Sequence, residues 1–240
     1  MGFPDQASHI GDQGVEEAKQ SGHFNTLGVA LHLTGRLRAF QRDGAQLRIL
    51  ASQLITLSRE QGATGWQLAG EILLAWQNAR EGALEQGLEA VRRGVDGLRA
   101  RKLNVWLPAY LLMQAEICGK AGRFDEALQL LDETMELMQL QDHPVCEAEL
   151  HRLRACTEFS RGASVSVVEA YFDRALDVAR RQGAKFWELR VAISRARFWR
   201  DQGMRAEASA LLGPLYDWFT EGFNTLDLKE AKALLDKLAA

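Results

Sequence analysis

The chain of 240 residues is 47% apolar and 25% charged, the make-up of an ordinary folded protein and not of a disordered one. A net charge of -3 supplies no basic field to draw the chain onto a phosphate backbone or an anionic bilayer, so nucleic acid and membrane are not expected as partners. Three cysteines, Cys118, Cys146 and Cys156, are odd in number and lack C-x-x-C spacing; this argues against a disulfide framework and a zinc site, and with no leader-like or bilayer-length apolar run it points to a cytoplasmic protein.

In chain order, helix and turn alternate and strand signals are absent. Val15 to His23 reads as the last turns of a helix whose partner would lie before Met1. Residues 1–23 are therefore expected to be part of a preceding repeat, and the chain either a truncated frame or a separately encoded half that docks on another chain. Helix pairs are then predicted at 24–41 with 45–60, 65–81 with 83–100, 105–120 with 124–140, 145–161 with 165–181, and 186–202 with 205–220. The three later prolines, Pro108, Pro144 and Pro214, are read as lying near helix starts or in first turns, where a missing N–H costs least. Asp227 to Leu238 carries Leu228, Ala231, Leu235 and Leu238 on one stripe and suits an amphipathic capping helix over 223–240.

Two interleaved turn series set the period. One runs through Ser21-Gly22-His23, Gln61-Gly62-Ala63, Arg101-Lys102-Leu103, Gln141-Asp142-His143, Gln182-Gly183-Ala184 and Glu221-Gly222-Phe223; the other through Gly44, Gly82, Gly122, Gly162 and Gly203. A spacing of about forty residues means stacked two-helix units, each burying a face against its neighbours. The units are 24–62, 63–102, 103–142, 143–183 and 184–222.

Within a unit, an alanine stands seven residues before the interior glycine at Ala75, Ala115, Ala155 and Ala196. Five residues after it come Gly87, Ala127, Val167 and Ala208, and seven further on Gly94 and Thr134. Glycine inside a helix costs about 1 kcal/mol relative to alanine, so Gly87 and Gly94 are expected where two helices touch. The stretch from Ala115 to Leu128, with Phe124 two residues after Gly122 and Asp125-Glu126-Ala127-Leu128 opening the second helix, resembles the tetratricopeptide repeat. That resemblance implies an all-α fold, a right-handed α-α superhelix of about five helix-turn-helix repeats plus a C-terminal capping helix.

The segments Ala179 to Arg190 and Tyr216 to Ala231 resemble the C-terminal repeat region of large bacterial signalling ATPases, regulators and cyclase fusions. In that family a nucleotide-binding module precedes the repeats, yet this chain has no G-x-x-x-x-G-K-[ST]. An enzyme is not expected, and neither is a cofactor or a metal. His9, His23, His32, His143 and His151 lack ligand spacing, and His151 with Glu147 reads as an exposed surface pair. Trp66, Trp106 and Trp187 recur just after the inter-unit turn and read as packing anchors.

The same resemblance assigns a groove face. With the recurrent alanine as position eight, positions two, five, nine and twelve are Arg190, Ile193, Arg197 and Arg200 in the fifth unit and Glu149, Arg152, Cys156 and Phe159 in the fourth; the second offers Trp76 and the third Glu116. Guanidinium groups on one face suit an acidic peptide or a small anionic effector, while the blander expectation is a solvated face paired with Glu149 and Asp201. Asn78 and Glu158, at a position normally apolar, need partners or exposure. The expected function is a non-catalytic scaffold for protein interaction in bacterial signalling, the sensor or regulatory half of a larger ATPase or cyclase system. The alternative is an effector-sensing domain that controls an output domain.

Overall fold

The computed structural model describes residues 2–142 and 145–239, so the predicted turn residue His143 and Pro144 lie outside the described residues. Among the described residues all regular structure is helical. The helices are α1 Pro4–Gln20, α2 Phe24–Gln41, α3 Gly44–Glu60, α4 Thr64–Arg80, α5 Leu84–Ala100, α6 Leu107–Lys120, α7 Phe124–Gln141, α8 Glu147–Arg161, α9 Val165–Arg181, α10 Lys185–Asp201, α11 Arg205–Asp217 and α12 Leu226–Ala239. The predicted pairs are all present. A short 3-10 turn, Asn104–Trp106, leads into α6, whose second residue is Pro108: the ring presets φ and forgoes an N–H that has no helical partner there. Pro214 is not at a helix start. It lies inside α11, and the helix stops three residues later at Asp217, short of the predicted 220.

Left-handed backbone marks the period more sharply than glycine does. It occurs at Gly22, Arg42, Gly62, Gly82, Lys102, Gly122, Asp142, Gly162, Gly183, Gly203 and Gly222, one residue in about every twenty. At the first interior turn that residue is Arg42 and not Gly44: the Arg42 N–H bonds Ala39 O at 3.0 Å and the Asp43 N–H bonds Arg38 O at 2.9 Å, closing the end of α2. Gly44 instead opens α3, where an added Cβ would stand 2.2 Å from the Gln77 amide.

The chain divides into two compact units. The first, Gln6–Gln141, holds most of α1 and the pairs α2–α3, α4–α5 and α6–α7. Its core is built from Leu47, Leu54, Ile72, Leu73, Leu88, Val91, Leu98, Ile117 and Leu131. A Cβ on Gly87 would fall 2.6 Å from that of Ala79, and one on Gly94 would fall 2.3 Å from Ile72, so both glycines serve the close approach of α4 and α5. On α5 and α7, Arg92 pairs with Glu126 and Arg99 with Glu133, each pair seven residues from the next on its helix. Asn78 finds its partner in Arg48, which donates to Oδ1 at 2.7 Å.

The second unit comprises Asp142–Ala240 with Met1–Asp5 and contains α8–α9, α10–α11 and α12. Its core joins Leu189, Ala192, Ile193 and Ala196 of α10 to Leu212, Leu215, Leu228 and Leu234. Val167 is 39% exposed, and its expected buried place is taken by Val168 at 0%: the Gly162–Ser164 turn is one residue longer than its counterparts, which advances α9 by one position. Residues near the N-terminus dock in this unit. Gly222 N–H donates to Asp5 Oδ2 at 2.9 Å, Asp5 N–H donates to Glu221 Oε1 at 3.0 Å, and Phe3 packs on Trp218. The recurrent alanines Ala75, Ala115, Ala155 and Ala196 are buried throughout.

Candidate binding faces

The first helix of each pair repeats one geometry, so side chains at equivalent positions line up across neighbouring helices. In the first unit this line is aromatic. His32 of α2 lies 5.5 Å from Trp66 and 4.9 Å from Trp106, and the two indoles stand 4.5 Å apart. His32 Nε2 and the Tyr110 hydroxyl share a hydrogen bond of 2.6 Å. Burial holds the His32 imidazole down to about 3 and pushes the Tyr110 phenol up, so both are neutral and pack as a core does. Trp66 and Trp106 are thus packing anchors, as their recurrence suggests; Trp187 likewise packs on Ala148, Val178 and Ala179 of the second unit. Further along the first unit, Trp76 Nε1 donates to Glu116 Oε2 at 3.0 Å, and Glu116 Oε1 accepts from Lys120 at 2.8 Å.

In the second unit the prominent polar contacts between neighbouring helices are ionic. Arg152 holds both oxygens of Glu149 at 2.7 and 2.8 Å and reaches Ser194 Oγ of α10 at 3.1 Å. Arg190 of α10 grips both oxygens of Asp227 of α12, at 3.2 and 2.6 Å, and stacks over Trp187 at 4.9 Å. Asp227 is fully buried and Arg190 nearly so. Arg197 donates to Glu230 at 2.9 Å, and Arg200 pairs with the adjacent Asp201.

The structure therefore brings Trp76 together with Glu116, and Arg152 with Arg190 through Glu149, whose carboxylate lies 3.9 Å from Arg190. Every arginine nominated from the sequence meets a carboxylate of its own unit. Arg197 and Arg200 keep a guanidinium more than a third exposed, whereas Arg152 and Arg190 are largely enclosed. Asp227 escaped the sequence reading because it lies on the capping helix, outside the repeat register that ranked the other positions.

His151, Cys118 and Cys156 are shifted away from neutrality by their surroundings. His151 is buried and not the exposed partner of Glu147 that its spacing suggests: the two stand 3.9 Å apart, and burial with the charges of Arg174, Arg154 and Arg181 lowers the imidazole to about 4. Burial pushes the Cys118 thiol up to about 12 and raises Cys156 as well, so neither offers a thiolate at neutral pH. Among the described residues no group of three or more His, Cys, Asp or Glu side chains could hold a metal ion, and no helix is long and apolar enough to cross a membrane.

One further surface belongs to α1 and α2. Gly11 carbonyl accepts from Thr34, and Arg38 holds both oxygens of Asp12 at 2.7 Å, which fixes the two helices side by side. Between them lies an open hollow of about 500 Å³ lined by Gly14, Glu17, Ala18, Thr26, Val29 and Ala30. Val29, Leu33, Arg36 and Phe40 share one stripe of α2 by their spacing. Their mixture of apolar and basic types could have flagged them, but the recurrent alanine that set the register has no counterpart in this first pair.

Packed helix pairs, four of them with a buried alanine at the same register, define the class, a tetratricopeptide-like all-helical repeat protein. No family model matches the sequence. An uncharacterized protein of Rhizobium meliloti (strain 1021) is 32% identical over 119 residues, which are 49% of this chain and 12% of that protein; the chain thus spans a small fraction of this relative's length. RapI, solved in its apo form, shares the fold with a TM-score of 0.57 at 10% identity, over 97% of each chain.

Proposed function

We propose that the chain is a non-catalytic interaction scaffold that recognises a protein segment on the faces of its first-of-pair helices, within a bacterial signalling system whose output chemistry resides elsewhere. The observation that carries this reading is where the chemistry of the chain is placed. Cys118, His32 and His151 are buried and Cys156 is half-buried, and all four are shifted away from neutral pH, whereas cations such as Arg197 and apolar groups such as Val29 and Leu33 are left at the surface. Groups arranged in this way recognise more readily than they react. The 32% identity to a segment of a much longer protein supports a role as one part of a larger assembly; a nucleotide-hydrolysing or cyclising module as its output partner is what the resemblance of Ala179 to Arg190 and Tyr216 to Ala231 implies.

The test is a peptide-display selection against the purified chain, followed by titration of the selected sequences. Enrichment of a common motif that binds at micromolar affinity is the expected result. If no peptide is enriched and a metabolite alone raises the melting temperature, the chain is an effector sensor instead.

A further inference from the structure

Arg36 differs from the arginines singled out by the repeat register. Arg152, Arg190, Arg197 and Arg200 each meet a carboxylate. Arg36 meets none among the described residues: its Nε is buried without a hydrogen-bond partner, and its guanidinium lies over the Phe40 ring at 5.8 Å. A partly buried cation held over an aromatic ring, with no counter-ion, is incompletely satisfied.

Its neighbours on α2 are equally uncovered. Val29 is 43% and Leu33 54% exposed, two turns and one turn from Arg36 on the same stripe, and Ile10 of α1 is 67% exposed. Ile10, Gly14 and Glu17 share a stripe of α1 in the same way, and Gly14 and Glu17 line the hollow together with Val29. Glu17 meets no cation among the described residues. The surface thus reads as an acid, an apolar strip and a base in line. From Val29, beside the hollow, to Arg36 is seven residues of helix, about 10 Å at the usual rise.

We propose that the exposed face of α1 and α2 is a docking site for an amphipathic helical segment of a partner, one whose apolar side chains cover Val29, Leu33 and the hollow beside Gly14. A carboxylate of that segment pairs with Arg36, and a basic residue about two turns away lies toward Glu17. The charge pattern selects this occupant: a purely apolar helix would leave Arg36 without its counter-ion, and a uniformly acidic one would place like charge against Glu17. This proposal rests on the reading of the chain as an interaction scaffold and names the partner chemistry at one site of it.

Three synthetic helical peptides test it, each with a leucine stripe and two charged positions seven residues apart: one acid with one base, two acids, and two bases. Fluorescence anisotropy measures their binding to the full chain and to Arg36→Glu, Glu17→Lys and Leu33→Asp, with the folding of each variant checked by circular dichroism. The mixed peptide should bind the unaltered chain best, by roughly tenfold over either like-charged one. Arg36→Glu should shift the preference to the two-base peptide and Glu17→Lys to the two-acid peptide, while Leu33→Asp weakens all three. Equal affinity of the unaltered chain and Arg36→Glu for the mixed peptide, or absence of binding by any of the three, overturns the site. The scaffold reading then stands or falls separately on the display selection, since selected peptides that bind Arg36→Glu and Leu33→Asp undiminished place recognition on another face.

Discussion

The two units build the same helix pairs and fill the line between their first helices in opposite ways. In the first unit, neutral rings do it: His32, Trp66, Trp106 and Tyr110 stack across α2, α4 and α6. In the second, ions do it: Glu149, Arg152, Arg190 and Asp227 run across α8, α10 and α12. The comparison teaches that the repeat specifies small residues where helices cross and leaves the chemistry of the adjoining line free. Neutral rings need exclusion of water and the one hydrogen bond that His32 shares with Tyr110. Ions need every partner in place, because a buried charge that loses its counter-charge has no solvent to replace it.

The largest effect is expected where that difference is cut directly. Asp227→Ala removes the bidentate partner of the buried Arg190 and should cost about 3–5 kcal/mol in chemical denaturation, and replacing both partners by apolar residues of similar volume should restore most of it. A loss no greater in the single than in the double replacement would break the ionic half of the comparison.

Acid should reach both halves through their histidines. His32 sits at about 3 and His151 at about 4 in the folded chain, each below its unfolded value of 6.5, so the unfolded chain takes up the proton first. Stability is therefore full above pH 6.5 and is lost as the pH falls toward those values, by roughly 1.4 kcal/mol per pH unit for His32. His32→Gln keeps a polar group toward Tyr110 and should flatten its share of the acid limb; a limb of unchanged steepness would remove His32 from this account.

Smaller still is Gly94→Ala, which presses a methyl group against Ile72 and should cost about 1–3 kcal/mol, measurable as a lowered denaturation midpoint; adding Ile72→Val should relieve part of it. Smallest is Arg200→Ala, whose exposed pair with Asp201 should contribute under about 1 kcal/mol and less in high salt. A salt-independent loss of several kcal/mol there would show that the exposed arginines are as structural as Arg190.

Most of the architecture was legible before the fold was seen. Ala75, Ala115, Ala155 and Ala196 announced the crossings, and Gly87 with Gly94 announced the close approach of α4 to α5. Where the reading slipped, one local feature had changed. An added turn residue put Val168 where Val167 was expected, and at the first interior turn Arg42, and not the turn glycine Gly44, is left-handed. A left-handed arginine carries no compositional mark, because its conformation is imposed by the helix pair on either side and not by the residue's own preference.

The candidate site divides in the same manner. Position in the repeat identified which arginines lie along α8 and α10, since helical spacing is a local property of the chain. Whether each keeps a free charge depended on residues far away in sequence, Asp227 for Arg190 and Glu230 for Arg197, and only packing in three dimensions brings those carboxylates to them. Sequence by itself determined helices, turns and period, which are set by contacts within about forty residues. Tertiary structure alone decided which charges are spent inside the fold and which, like that of Arg36, meet no carboxylate among the described residues, because neutralisation is a matter of ångströms in space and not of residues along the chain.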